Sequence, residues 1–148
     1  MPCPREAVEL AVPFVRGKAR PRFSRGGHAY TPAETRNAER AVLAAFLHET
    51  GRGKGDPPLF AAGPVAVEVV VFMPLPKGAP KREASRPYTV KPDADNVAKL
   101  VLDALNGHAW RDDSQVVDLH IVKMPQTRGL MPETRVLMAP LGREKRFQ

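Results

Sequence analysis

The chain has 148 residues, 23 lysines and arginines against 16 aspartates and glutamates, a formal net charge of +7 and one cysteine. This length predicts a single domain over residues 1–148 with a core of its own. No apolar stretch approaches the ~20 residues that span a bilayer, and the N-terminus lacks a signal-peptide pattern. The lone Cys3 favours a reducing compartment, so we expect a cytoplasmic protein that does not enter membranes.

The first half of the chain predicts one strand and one helix. Apolar residues alternate over residues 7–14, which is typical of a half-buried strand that Pro13 would keep at an edge. The Gly-, Pro- and Arg-rich residues 17–27 predict a loop. Thr31 as the cap and Pro32 as the first helical residue then predict a helix that runs to about His48. Glycines in residues 49–63 predict a flexible connection.

The second half predicts a second helix and three strands. Residues 65–73 are apolar on nearly both faces, which favours a central strand. Residues 75–92, rich in proline and cations, predict a long functional or flexible loop. Helical spacing follows over residues 96–105, and alternation over residues 116–124 and 134–138 predicts two strands before a charged tail, residues 141–148. The predicted fold class is therefore α/β (α+β), a small mixed β-sheet with two main helices.

The positive charge is concentrated near the N-terminus and indicates a polyanionic partner. Five cations lie between positions 16 and 25 without an acid between them: Arg16, Lys18, Arg20, Arg22 and Arg25. Four of them occupy alternate positions, so in an extended chain they would form a row that follows DNA phosphates. The alternative is an ordinary solvated loop.

An acidic cluster follows later in this basic chain. Asp93 and Asp95 stand at the start of the second predicted helix, and Asp112 and Asp113 lie in a turn after it. One carboxylate there would suffice as a helix cap, which is the alternative interpretation. Two such pairs brought together would need a cation, and oxygen ligands without Cys or His favour Mg²⁺, with Mn²⁺ as a substitute.

Lys99 lies four residues after Asp95 and therefore on the same helical face. It could form an ordinary i,i+4 ion pair, or it could hold a phosphate near the metal. A hard cation for water activation, together with cations for the DNA backbone, is what phosphodiester hydrolysis needs. The residues alone thus favour a Mg²⁺-dependent nuclease.

The order of these motifs adds a family resemblance. Residues 91–99 read KPDADNVAK, residues 102–107 read LDALNG and residues 110–118 read WRDDSQVVD. This pattern closely resembles the RusA family of Holliday junction resolvases, and residues 17–23 and 30–32 resemble the N-terminal pattern of its phage-type members. The resemblance implies a homodimeric α/β fold that cuts two strands of a four-way DNA junction symmetrically. It also implies Mg²⁺ ligands at Asp93, Asp95 and Asp113 and a catalytic lysine at Lys99.

Several further residues lie near these motifs. Asp112 and Asp103 are not assigned to the metal, whereas Lys91 and Arg111 join the basic row as predicted DNA contacts. Trp110 is expected to pack in the core, although Trp110 and Phe23 could also stack on an unpaired base. Three functions stay open: a junction-resolving enzyme, a less selective Mg²⁺ endonuclease on the same scaffold, and a non-catalytic DNA-binding module.

Overall fold

The computed structural model describes residues 7–142. Cys3 and most of the predicted charged tail lie outside these residues. The elements in chain order are β1 (Val8–Val12), β2 (Arg22–Phe23), β3 (Ala29–Tyr30), α1 (Ala33–Thr50), β4 (Val65–Phe72), β5 (Ser85–Arg86), α2 (Ala94–Leu105), a 3-10 turn (Asp113–Gln115), β6 (Val116–Lys123), β7 (Gln126–Thr127) and β8 (Glu133–Pro140). The predicted fold class, a mixed sheet with two main helices, is confirmed.

The main sheet has four strands in the order β1-β8-β4-β6. Strand β4 is antiparallel to β8 and parallel to β6, and α2 lies in the connection between the two parallel strands. This arrangement makes β4 central, as its apolar sequence predicts. Strand β6 is parallel to β4, and its start follows the turn that holds Asp113.

The core lies between the two helices and one face of the sheet. Val42 and Phe46 of α1 and Leu100 of α2 are fully or almost fully buried in the same cluster as Val69 of β4 and Met138 of β8. Burial of a side chain such as Phe46 stabilises the fold by roughly 1.5–3 kcal/mol. This core gives α2, which carries the acidic motif, a rigid base.

Helix α1 begins and ends slightly differently from the prediction. Its N-cap is Pro32, not Thr31, and no side chain makes a capping hydrogen bond there. The helix continues past His48 to Thr50, where Gly51 in the left-handed region (φ 68°) ends it. No helix among residues 7–142 is both long enough and apolar enough to cross a lipid bilayer.

Two predicted loops contain short paired strands. Strand β2 lies within residues 17–27 and pairs with β3, so the prediction of a loop without strands is wrong there. Strand β5 lies within residues 75–92 and pairs with β7. Arg128 fastens the same long loop further, because its guanidinium donates hydrogen bonds to the carbonyl oxygens of Pro80 and Glu83. Two-residue strands carry too little periodicity to be seen in a sequence.

Candidate active site

The first acidic residue of the motif stands at the N-cap position of α2 with an uncommitted side chain. Asp93 has extended backbone angles, and its side chain makes no capping hydrogen bond. Its backbone carbonyl instead accepts hydrogen bonds from the amides of Asn96 and Val97, both at 3.1 Å. The carboxylate of Asp93 is therefore free of the capping role that was the alternative interpretation.

A cleft of about 570 Å³ lies between α2 and β6 and brings most of the predicted site together. Its polar lining consists of Asp95, Lys99, Asp103 and Asp113, and its apolar lining includes Leu119 and Ile121 of β6. Asp95 and Lys99 are exposed on the same side of α2 and form no ion pair with each other in the described structure. Their charges are therefore available to a ligand in the cleft.

The two neighbouring aspartates of the turn have different partners. The carboxylate of Asp112 accepts a hydrogen bond from the amide of Ser114 at 3.0 Å, and the side chain of Gln115 accepts one from the amide of Asp112 at 3.1 Å. This is a capping box that starts the 3-10 turn. Asp113 instead accepts a hydrogen bond of 2.7 Å from the indole N–H of Trp110. Asp112 therefore shapes the turn, whereas Asp113 lines the cleft.

Burial and neighbouring charge act together on Asp113. Partial burial is the largest cause that raises the pKa of the Asp113 carboxyl above its usual range, and the charges of Asp103 and Asp112 raise it further. The hydrogen bond from Trp110 opposes this effect. A carboxylate in such a setting gains from a nearby cation, since the cation offsets both the lost hydration and the like charges.

Trp110 itself belongs to the core. Its side chain is fully buried, which confirms the expectation that it packs and excludes stacking of this ring on DNA in the described structure. The sequence did not predict its hydrogen bond to Asp113. The spacing of three residues between Trp110 and Asp113 is compatible with such a contact in a turn but does not indicate it.

A second cleft of about 350 Å³ at the same end of α2 is lined by Asp93, and segment 15–19 forms its opposite wall. The amide of Lys18 donates a 2.8 Å hydrogen bond to the carbonyl of Asn96. Gly17 packs so closely that a Cβ there would come within 3.0 Å of side-chain atoms of Pro92 and Asn96. The start of the arginine-rich segment is therefore fixed beside the acidic motif.

Lys18 departs from the predicted row of phosphate-binding cations. Its ammonium lies 3.1 Å from Glu39 of α1 and 3.2 Å from Asp103 of α2. Burial lowers the pKa of Lys18, but the two carboxylate partners outweigh this effect and leave it raised above the ordinary value. Lys18 therefore serves a structural ion-pair cluster, and the same contact gives Asp103 a role that the sequence left open.

The other predicted DNA contacts are exposed, and two of them, Arg16 and Lys91, line the smaller cleft. The full set of these contacts is Arg16, Arg20, Arg22, Arg25, Lys91 and Arg111. Arg16 lies 3.9 Å from Glu34, and the guanidinium of Arg111 donates a 3.3 Å hydrogen bond to the carbonyl of Ala61. Both contacts are at the surface, where they contribute little and leave the side chains accessible to phosphate.

Tyr88 and Lys123, which the sequence analysis did not assign to the site, contact the loop that leads to Asp93. The ammonium of Lys123 lies 4.1 Å from the centre of the Tyr88 ring and donates a 2.7 Å hydrogen bond to the carbonyl of Val90. The hydroxyl of Tyr88 donates a 3.3 Å hydrogen bond to the carbonyl of Lys91. Lys123 is the last residue of β6, and its sequence neighbours do not indicate its contact with Val90.

The carboxylates provide oxygen donors of the kind that a hard divalent cation prefers. Within residues 7–142, however, no three His, Cys, Asp or Glu side chains are gathered closely enough to hold a metal ion. Asp93 and Asp95 line different clefts at one helix end. The donor chemistry fits Mg²⁺, and a shared ion would require these exposed side chains to change rotamer.

Comparison with known proteins gives this arrangement a family. The family model of endodeoxyribonuclease RusA matches residues 13–136 of the chain. The chain belongs to the RusA endodeoxyribonuclease family. The predicted family and an enzyme class that hydrolyses DNA are thereby confirmed.

Individual RusA relatives cover different shares of the chain. The uncharacterized protein YqaN of Bacillus subtilis is 37% identical and covers 75% of this chain and 80% of its own length. The crossover junction endodeoxyribonuclease RusA of Escherichia coli K12 is 46% identical over 48 residues, which are 32% of this chain and 40% of that relative. The protein of that name from Enterobacteria phage 82 matches to the same extent. The chain thus spans less than half the length of these named resolvases.

Proposed function

We propose that this protein is a Mg²⁺-dependent endonuclease that resolves four-way DNA junctions by paired, symmetric cleavage. The main support is the different setting of two adjacent aspartates: Asp112 caps the turn, whereas Asp113 faces the cleft that Asp95 and Lys99 also line. A cleft with carboxylates on two walls and a free lysine on one fits hydrolysis of a phosphodiester.

Each side chain has a distinct part in the proposal. Asp93, Asp95 and Asp113 would hold the ion, which, when bound, makes water a better nucleophile and offsets charge on the phosphoryl group. Lys99 binds the scissile phosphate from the helix face next to Asp95. Trp110 orients the carboxylate of Asp113 through its indole N–H, so a buried ring fixes one wall of the site.

The exposed cations would hold the DNA backbone around this cleft. Arg16 and Lys91 line the smaller cleft beside Asp93, and Arg111 adjoins the Asp112 turn. Charge of this kind binds DNA of any sequence and depends strongly on salt. Two sites related by a two-fold axis would match the symmetry of a four-way junction, so the proposal includes a homodimer.

A cleavage assay with two DNAs tests the proposal. A four-way junction and a linear duplex of the same sequence are incubated with the protein, with and without Mg²⁺. We expect cleavage of the junction alone, only with Mg²⁺, and a loss of cleavage with retained binding for Asp95→Asn. Cleavage of both DNAs would favour a less selective endonuclease. Binding without cleavage in any divalent metal would favour a non-catalytic DNA-binding module.

A further inference from the structure

The β2–β3 hairpin forms a two-stranded sheet of its own, apart from the main sheet. Among residues 7–142 its strands pair only with each other, and every residue from 21 to 30 is exposed. No acid occurs from Arg16 to Ala33, whereas Arg20, Arg22 and Arg25 lie on or beside the hairpin. The hairpin is thus a projecting, purely basic element.

Hydrogen bonds give the tip of this hairpin a defined shape. The amide of Ser24 donates to the carbonyl of His28 at 2.9 Å, and the amide of Gly27 donates to the carbonyl of Ser24 at 2.9 Å. The hydroxyl of Ser24 accepts a further bond from the amide of His28 at 3.3 Å. Gly27 adopts a φ of 79°, which favours glycine. The strand residues next to this turn are therefore held in place.

Phe23 projects from this ordered hairpin without a cover. Its side chain is 71% exposed, and its cross-strand neighbour is the small Ala29. Arg22 and Tyr30 pair one position along, so their side chains lie on the opposite face. A single exposed apolar side chain is common, but here it is an aromatic ring on a segment whose nearby residues Arg20, Arg22 and Arg25 are cations. Such a combination is what stacks on nucleic-acid bases while cations hold the adjoining phosphates.

The anchor of the hairpin sets its distance from the acidic motif. Lys18 is fixed to Asn96 of α2 by a 2.8 Å hydrogen bond between backbone atoms. Phe23 follows Lys18 by five residues, a chain length that reaches at most about 17 Å. This reach corresponds to about five nucleotide steps of 3.4 Å along one DNA strand. Phe23 can therefore meet bases close to a phosphate bound in the cleft.

We propose that the β2–β3 hairpin places the ring of Phe23 against a DNA base that has lost a stacking neighbour, while Arg20, Arg22 and Arg25 hold the flanking phosphates. Such bases occur at the branch point of a junction and not within a continuous duplex. The hairpin would therefore be an element that selects the substrate. This inference rests on the proposed function and adds the residue that distinguishes the DNA structures.

Binding experiments in EDTA, where no cleavage occurs, test the role of the ring. A four-way junction with 2-aminopurine at the branch point is titrated with wild type, Phe23→Ala and Phe23→Tyr. We expect Phe23→Ala to lose about tenfold in junction affinity, together with the change in 2-aminopurine emission, while duplex affinity is unchanged. Phe23→Tyr should behave as wild type, because it keeps the aromatic ring.

Met131→Ala is the matched control, since Met131 is also apolar and 78% exposed but lies outside the hairpin. It should leave both readouts unchanged. If Phe23→Ala binds the junction as wild type does, with the same emission change, the role of Phe23 is refuted and the proposed function stands. A lower oligomeric state of Phe23→Ala in sedimentation would also refute it, since the ring would then pack on a second copy of the chain. Wild type without any preference for the junction would refute the proposed function itself.

Discussion

The ammonium of Lys18 lies 3.2 Å from the carboxylate of Asp103, and this contact joins the arginine-rich segment to the helix that carries the acidic motif. Glu39 of α1 completes the cluster at 3.1 Å. One cation therefore ties three parts of the chain together at the candidate site. The Lys18 side chain is only 18% exposed. Water would therefore solvate the two carboxylates poorly if the ammonium were removed.

Lys18→Met should destabilise the protein, because it leaves two carboxylates close together without a cation. We expect a loss of about 1–2 kcal/mol in the free energy of unfolding, less than for a fully buried pair, because the Asp103 side chain is 33% exposed and screened by water. Urea denaturation measures this value, and Arg20→Met is the control with an equal loss of charge. Equal stability of both variants would contradict the prediction.

The same experiment has a defined pH dependence. The pKa of Lys18 is raised in the folded protein, so the stabilisation by Lys18 is fully present below the unfolded pKa of about 10.4. It is lost as the pH rises through the folded value. The difference in stability between wild type and Lys18→Met should therefore shrink as the pH rises into the alkaline range.

The neighbouring aspartates of the turn should respond differently to the same substitution. Asp113→Asn should lower junction cleavage by at least about 100-fold, because it removes a charge from the proposed ion site. Asp112→Asn should stay within about threefold of wild type, since an asparagine oxygen can still accept the hydrogen bond from Ser114. Single-turnover cleavage rates and thermal melts of both variants check this, and a reversed order of rates would exchange the two assignments.

The exposed arginines of the hairpin should account for part of the salt dependence of DNA binding. Replacing Arg20 and Arg22 together with alanine should reduce the slope of log affinity against log salt by up to about 1.8. Arg135→Ala is the control, because Arg135 lies on the sheet face opposite the helices, over the ring of Phe72. A slope equal to that of wild type would make the segment an ordinary solvated loop.

Paired cleavage predicts a specific result for mixed subunits. Wild-type chains are combined with an excess of Asp95→Asn chains on a supercoiled plasmid that carries a cruciform. Mixed dimers should accumulate nicked circles, because only one of their two sites can cut, whereas wild-type dimers yield linear DNA. A monomer in sedimentation, together with linear product in the wild-type proportion, would exclude a dimeric mechanism.

The periodic elements could be predicted from the sequence, whereas contacts between distant segments could not. Helix α2 and strands β4, β6 and β8 have repeating apolar patterns, and the structure contains each of them. Strands β2 and β3 have two residues each, too few for a pattern. The partners of Lys18 lie 21 and 85 residues further along the chain. The basic row therefore predicted an exposed Lys18 side chain, whereas the fold leaves only 18% of it exposed.

The candidate site divides in the same way. The spacing of Asp95 and Lys99 predicts a shared helix face, and both residues line one cleft. The separate roles of Asp112 and Asp113 depend on the turn and on the position of the Trp110 ring, which only the packed core determines. The hydrogen bond from Lys123 to Val90 joins β6 to a loop 33 residues earlier, and the two meet only in the folded chain.

The hydrogen bond between Trp110 and Asp113 also provides an optical probe of the site. Trp110 is the single tryptophan of the chain, so the indole emission of the protein comes from one ring. This ring is hydrogen-bonded to Asp113, one of the residues proposed to bind Mg²⁺. Mg²⁺ that approaches Asp113 would change the electrostatic field at that ring, and the emission should shift during a titration without DNA. Asp113→Asn should remove this shift. Such a shift would report ion binding separately from DNA cleavage.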